Sequence, residues 1–182
     1  VSYQPGWKDG REIGTGQRDA SGRYEAIRRE LQGHDGFSVL DVGAYSGYFS
    51  IRLAEEFGAL CVAADDYPAL ARLDVEGVTT ITHRLDLDDL TRLLDAGTDV
   101  VLLLSVLHHV RWWREMLAAV VTKARVVFVE LPDDRERLPG AVAHAETPNM
   151  HKAVQDLGGI SIARTAGYDG RYDRPLYVLG RL

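Results

Sequence analysis

Five consecutive residues, Val100-Val101-Leu102-Leu103-Leu104, are apolar within a strand predicted over 99–106. Side chains of a strand alternate between its two faces, so a strand apolar at every position must be covered on both. That requirement excludes a half-solvated antiparallel sheet and demands a mostly parallel sheet with helices on either side. Further strands are predicted over 37–42, 60–64, 78–82 and 126–131. Helices are predicted over 48–57, 69–73, 88–94, 112–121 and 150–157, and one over 23–31 precedes them all, with Tyr24, Ile27 and Leu31 at helical spacing. Residues 160–165 and 175–179 form two last strands about a turn at Tyr168-Asp169-Gly170. Five strand-then-helix units followed by two adjacent strands imply a doubly wound α/β sheet of seven strands with an antiparallel edge.

At 182 residues, 46% of them hydrophobic, the chain fits one domain with a sizeable core. Residues 1–22 are rich in glycine and charge without a hydrophobic period and read as a flexible arm or lid; residues 23–182 read as the domain. A polar stretch with Pro132, Pro139 and Pro148 follows the fifth strand. The net charge of −6 and pI near 5.5 lack the basic field that non-specific nucleic-acid binding needs. Cys61 is the only cysteine, so no intrachain disulfide forms; its apolar neighbours place it in a buried strand, and a cytoplasmic, reducing setting is expected. No apolar run reaches the ~20 residues of a membrane span, and no signal peptide is read.

Asp41-Val42-Gly43-Ala44-Tyr45-Ser46-Gly47 lies between the first strand of the sheet and its helix, where a glycine pattern carries meaning. Gly43 permits a sharp turn, and Gly47 a close approach at the helix start. Asp41 stands at the carboxyl end of the strand, where open α/β sheets bind ligands. A carboxylate there repels a pyrophosphate, which disfavours a nicotinamide-dependent oxidoreductase, and suits an amino-acid-like ammonium. The alternative is a tight turn with no ligand.

Residues 39–50 as a whole resemble motif I of the class I S-adenosylmethionine-dependent methyltransferases. The resemblance implies the sheet order 3-2-1-4-5-7-6 and S-adenosyl-L-methionine as cofactor. It implies that Gly43 and Gly47 line the methionine portion, with Ala44 and Tyr45 among the contacts and Asp41 in support. Tyr45 replaces the usual middle glycine and is expected to crowd the cofactor or cover it.

Two further acidic positions fall at the spacing of that family. Asp65 and Asp66 end the second strand about 20 residues past the glycine turn, where an acid accepts both ribose hydroxyls. Asp65 takes that role in the resemblance; Asp66 points to the opposite face, and a capping aspartate ahead of Pro68 is the alternative. Asp86 and Leu87 follow the third strand, where the family places an acid on the adenine amino group and a backbone N–H on a ring nitrogen. Taken alone they read as a charged helix start. Ser105 ends the fourth strand as a further cofactor contact, and the Pro-Pro-aromatic run of exocyclic-amine methylation is absent.

An oxygen nucleophile gains from a general base, and histidine suits neutral pH. His109 ranks first, then His108, then His144 in the polar loop; adjacent residues diverge, so at most one of the first two is expected to face substrate. No metal site is read, since no Cys or carboxylate completes a set with the two histidines. The arm, through Tyr3 and Trp7, is similar to the amino-terminal segment of some wobble-uridine tRNA modifiers and glycan methyltransferases, which implies a lid. Arg111-Trp112-Trp113-Arg114 offers an aromatic and a cation beside the cleft. The expectation is a methyltransferase acting on a hydroxyl of a small molecule or sugar. The basic, aromatic turn of Tyr168, Arg171, Tyr172 and Arg174 keeps RNA as the alternative partner. A non-catalytic binding module is the other rival.

Overall fold

The computed structural model describes residues 2–138, 140–168 and 170–182; Val1 of the arm, Pro139 of the polar stretch and Asp169 of the terminal turn lie outside the described residues. The arm carries a small antiparallel hairpin, β1 (Gly6–Lys8) and β2 (Arg11–Ile13), and runs into helix α1 (Ala20–Leu31). The sheet then begins with β3 (Ser38–Val42), followed by α2 (Tyr48–Phe57), β4 (Leu60–Ala64), β5 (Val78–Ile81), α3 (Leu87–Asp95), β6 (Val100–Leu104), α4 (Trp113–Lys123) and β7 (Val126–Glu130). Helix α5 (Thr147–Asp156) and strands β8 (Ile160–Ala166) and β9 (Asp173–Gly180) complete it. The seven strands lie in the order β5-β4-β3-β6-β7-β9-β8, which is 3-2-1-4-5-7-6 when these strands alone are numbered along the chain. Five are parallel; β9 runs antiparallel to both β7 and β8.

The two-residue period of β6 assigns its side chains to two cores. Val100, Leu102 and Leu104 face Tyr24, Ile27, Phe49 and Leu53 of α1 and α2. Val101 and Leu103 face Leu90 of α3, Met116 and Leu117 of α4 and Met150 of α5. Both cores exclude water, which is why no polar residue interrupts the strand. Cys61 sits in the first of them, 2% exposed, and burial pushes its thiol up to about 12.

Three local departures from the predicted elements have physical reasons. Residues 69–73 form only a 3-10 turn, Leu70–Arg72, because Leu70 alone is buried and one apolar contact does not offset helix nucleation. Helix α5 starts at Thr147 rather than 150, since Pro148 is tolerated in a first turn, where its missing N–H has no partner to lose. Strand β6 stops at Leu104, and Ser105, at φ 63°, turns the chain into a 3-10 turn over Leu107–His109. Among the described residues no helix is long and apolar enough to cross a membrane.

The arm is packed onto the domain. Gln17 and Arg18 donate backbone N–H bonds to the carbonyls of Ser2 and Tyr3, at 3.0 and 2.9 Å, and Gln4 and Arg18 are buried. Trp7 lies edge-on to Tyr48 and donates its indole N–H to Glu55 at 2.7 Å. Deeper in, Glu130 at the end of β7 is fully buried and receives Arg18 of the arm and Arg23 of α1, the latter at 3.5 Å. Thr165 of β8 and Ser105 donate their hydroxyls to the same carboxylate. Removing one partner of such a cluster leaves charges in a dry site. Glu130→Gln is therefore expected to lower unfolding stability by about 3–5 kcal/mol in urea denaturation. It should also speed proteolysis within β1 and β2, whereas Asp156→Asn, which breaks an exposed pair with Lys152, should change little. An unchanged urea midpoint in Glu130→Gln would show that the cluster holds nothing together.

Candidate active site

A cavity of about 930 Å³ opens at the carboxyl ends of the parallel strands. It spans the place where the strand order reverses, with β4 on one side of β3 and β6 on the other, the usual ligand position in open α/β sheets. Its volume lies near the top of the ~300–1,000 Å³ range of small-molecule sites, room for two ligands side by side. Gly43, Tyr45, Asp65, Asp66, Asp86, Ser105, His108 and His109 all line it.

The turn after β3 is built around Gly43. Its φ is 75°, its N–H donates to the Ala64 carbonyl at 2.8 Å, and an added Cβ would stand 2.7 Å from Val106 Cγ2. Tyr45 also holds a positive φ, 54°, and its N–H donates to Asp65 Oδ2 at 2.8 Å. Its ring stacks on Tyr67 at 3.9 Å and meets Tyr3 of the arm edge-on at 5.6 Å, while its hydroxyl bonds Ser2 Oγ at 3.1 Å. The tyrosine thus joins turn, arm and cavity wall.

Four residues of the predicted cofactor set are not on that wall. Asp41 is buried beneath it, accepting the Ser50 hydroxyl at 2.8 Å, and burial raises its carboxyl to about 7. Ala44 packs against Ala63 and Leu70. Gly47 faces Leu73, whose Cδ2 would meet an added Cβ at 2.7 Å, so its missing side chain serves packing rather than ligand approach. Leu87, at the first position of α3, is exposed and does not line the cavity.

The acids divide by what already occupies them. Asp65 receives the N–H groups of Tyr45 and Tyr67, one per oxygen at 2.8 Å, and keeps a lone pair on each oxygen for a further donor. Asp66 is exposed and paired with Arg84 at 2.6 Å. Asp86 caps α3 through the Asp89 N–H at 2.8 Å and retains its other oxygen.

His108 and His109 both border the cavity, their rings 4.2 Å apart, contrary to the expectation that only one would. They sit on a 3-10 turn, where successive side chains diverge less than along a strand. His108 is buried, its Nδ1 lacks a partner among the described residues, and burial drives its pKa down to about 2. His109 is exposed at the rim, and partial burial together with Arg174 and Arg84 holds it below the usual range, hence neutral. His144 does not line the cavity. Its Nε2 bonds the Glu136 carbonyl at 2.7 Å and its Nδ1 lies 3.3 Å from the Thr147 hydroxyl, so both ring nitrogens serve the loop. Among the described residues no cluster of three or more His, Cys, Asp and Glu forms a metal site.

The sequence reading missed the polar floor of the cavity. Arg174 of β9 is 2% exposed, donates to both oxygens of Glu136 at 2.8 and 2.7 Å, and reaches Ser105 Oγ at 2.9 Å. Ser105 passes that contact on to Glu130. Burial alone would raise the Glu130 carboxyl, but Arg23 and Arg18 hold it below the usual carboxylate range. A Glu closing the otherwise apolar run 126–130 was the available signal, because a charge in a doubly covered strand requires a cation. Arg174, counted in sequence with a basic surface turn, is instead consumed inside, which weakens the RNA reading. The pair Trp112-Trp113 splits: Trp113 is core, and Trp112 lines the cavity beside Arg111.

No family model and no curated protein matches the chain. Solved structures do. A co-crystal structure of WbdD with a kinase inhibitor matches with a TM-score of 0.68 and 21% identity over 91% of this chain, which spans 42% of the WbdD chain. The N-terminal domain of EvdMO1, solved with SAH and D-fucose, matches with a TM-score of 0.64 and 15% identity, over 100% of this chain and 91% of that one. Magnesium protoporphyrin IX methyltransferase from Synechocystis PCC 6803, solved with SAH, gives 0.63 and 19%, over 88% and 82%. The chain thus has the class I methyltransferase fold.

Two buried groups of the site make opposite contributions to stability with pH. Asp41, raised from 3.8 to about 7, favours its protonated form in the folded state, so its contribution grows on acidification and is lost as pH rises through about 7. His108, lowered from 6.5 to about 2, must stay neutral to fold, so its contribution is lost as pH falls below 6.5. Between about pH 7 and about pH 4, Asp41→Asn should lose thermal stability faster than wild type on acidification, and His108→Asn should lose it more slowly or gain it. Parallel melting curves for all three proteins would remove both assignments.

Proposed function

We propose that the chain is an S-adenosylmethionine-dependent methyltransferase that methylates a hydroxyl of a small molecule or sugar. The observation that carries this reading is the large cavity at the strand-order reversal, walled by the Gly43 turn, Asp65 and Asp86. Bound there, the cofactor supplies an activated methyl group to an oxygen nucleophile. Asp65 has the two lone pairs that a ribose diol requires, and Asp86 has one oxygen left for an adenine amino group. Gly43 leaves the wall open where any Cβ would collide with Val106. The presence of SAH in the EvdMO1 and magnesium protoporphyrin IX methyltransferase structures, and of D-fucose in the former, supports the same assignment.

The second half of the cavity suits a hydroxyl substrate. Trp112, Leu138 and Val142 supply apolar walls, and orientation of the reacting pair is most of what methyl transfer asks of a protein. His109 at the rim is neutral and able to take the hydroxyl proton, while His108 behind it is too deeply buried to charge. The arm, through Tyr3 against Tyr45, acts as a lid over this junction.

Calorimetry with S-adenosylhomocysteine tests the reading directly. Wild type should bind it and should not bind NAD comparably. Asp65→Ala should lose about 1.5–3 kcal/mol, ten- to a hundred-fold in affinity, and Gly43→Val should abolish binding. Wild type that is folded yet fails to bind S-adenosylhomocysteine sinks the proposal. With an identified substrate, His109→Ala should lower kcat by ~10²–10⁴, and wild-type turnover should fall as that imidazole protonates on acidification. A normal rate in His109→Ala would leave alignment and desolvation as the whole of catalysis.

A further inference from the structure

We propose that the end of the cavity nearest β9 is an anion-binding subsite, in which Arg111 and Arg137 grip a carboxylate or phosphate of the small-molecule substrate. The proposal rests on the methyltransferase reading for the opposite end and specifies what the remaining space accepts.

The charges of the cavity are segregated by strand. Its acids, Asp65, Asp66 and Asp86, come from the ends of β4 and β5 on one side of the sheet. Of its four arginines, Arg84 lies on the acidic side, paired with Asp66, while Arg111, Arg137 and Arg174 come from the turn after β6, the segment after β7 and β9 on the other side. Arg84 and Arg174 are committed, to Asp66 and Glu136 respectively. Arg111 and Arg137 are both exposed to the cavity, and among the described residues neither has a hydrogen-bond, ion-pair or ring partner. Arg111 and Arg137 line the same cavity as apolar Trp112, Leu138 and Val142, and two guanidiniums without a protein partner offer the planar donor pairs that a carboxylate or phosphate accepts.

The floor adds to the same field. Arg18, Arg23 and Arg174 are buried against Glu130 and Glu136, three cations to two anions, so the cluster carries one net positive charge. An anion bound above it relieves that excess in a poorly screened setting. A small ligand fits better than a polyanion, because a long phosphate backbone laid along this cavity would run onto Asp65, Asp66 and Asp86.

The experiment is calorimetry on the protein with and without S-adenosylhomocysteine, using inorganic phosphate, glucose 1-phosphate, glucuronate, glucose and a short oligouridylate. At least one sugar anion should bind about tenfold or more tightly than glucose, and Arg111→Gln/Arg137→Gln should abolish that advantage. Which anion is preferred tells carboxylate from phosphate. Inorganic phosphate competing with the bound sugar anion would place the contact on the charged group itself. Equal binding of glucose and both anions, no saturable anion binding, or an advantage that survives the double substitution overturns the subsite. Preference for oligouridylate with a steep salt dependence overturns it in favour of nucleic acid. The double variant should keep wild-type affinity for S-adenosylhomocysteine within about twofold, which separates loss of the subsite from loss of fold; if it does not fold, each single substitution carries the same test. Arginine-dependent anion binding in a protein that does not bind S-adenosylhomocysteine would retain the subsite and remove the methyltransferase reading.

Discussion

One buried carboxylate organises the part of this molecule that the sheet does not. Glu130 accepts from the arm through Arg18, from α1 through Arg23, from β8 through Thr165 and from the cavity wall through Ser105. A buried ion cluster adds little stability over the apolar packing that would replace it, yet breaking it by halves is costly. Its effect is therefore on position. It fixes where the arm lies, and Ser105 carries that constraint to Arg174 at the cavity floor. Because Tyr3 is lashed to Arg18 by a backbone bond, the aromatic contact between arm and Gly43 turn inherits the same anchor.

The sheet was legible in the sequence because its physics is periodic. An apolar run such as 100–104 admits few environments, and five strand-forming runs alternating with helical segments leave few topologies. The Gly43 turn and Asp65 were legible because a steric demand and a hydrogen-bonding demand each select few residue types. Asp41 and Gly47 were also conspicuous, but their work is internal: one is sealed beneath the turn and the other makes room for Leu73. A glycine or an acid in a motif records that something approaches closely, without recording whether ligand or protein does so.

The network around Glu130 was illegible for the opposite reason. Its members are separated by as many as 148 residues, counting the Arg18 bond to the Ala166 carbonyl, and no local pattern links them. Arg174 shows the hazard. Next to Arg171 and Tyr172 it reads as part of a basic surface, whereas in the structure it is a residue of β9, paired with Thr165 of β8, and is buried. The histidines depart in the other direction: adjacent side chains of an extended segment diverge, whereas the 3-10 turn over 107–109 brings both rings to one cavity. The same cavity divides its polarity as the sheet divides its strands, acids toward β5 and, Arg84 apart, arginines toward β9.

The span of that network also sets an order on the birth of the structure. The arm leaves the ribosome before the sheet does, but Arg18 lacks the Glu130 counter-charge until β7 emerges more than a hundred residues later, and Arg174 follows only with β9. Contacts so distant along the chain close late, because the loop entropy must be overcome before they form. During synthesis the arm thus settles after the sheet it precedes, and a stalled nascent chain that lacks β9 would hold most of the sheet with a cleft whose floor is unfinished.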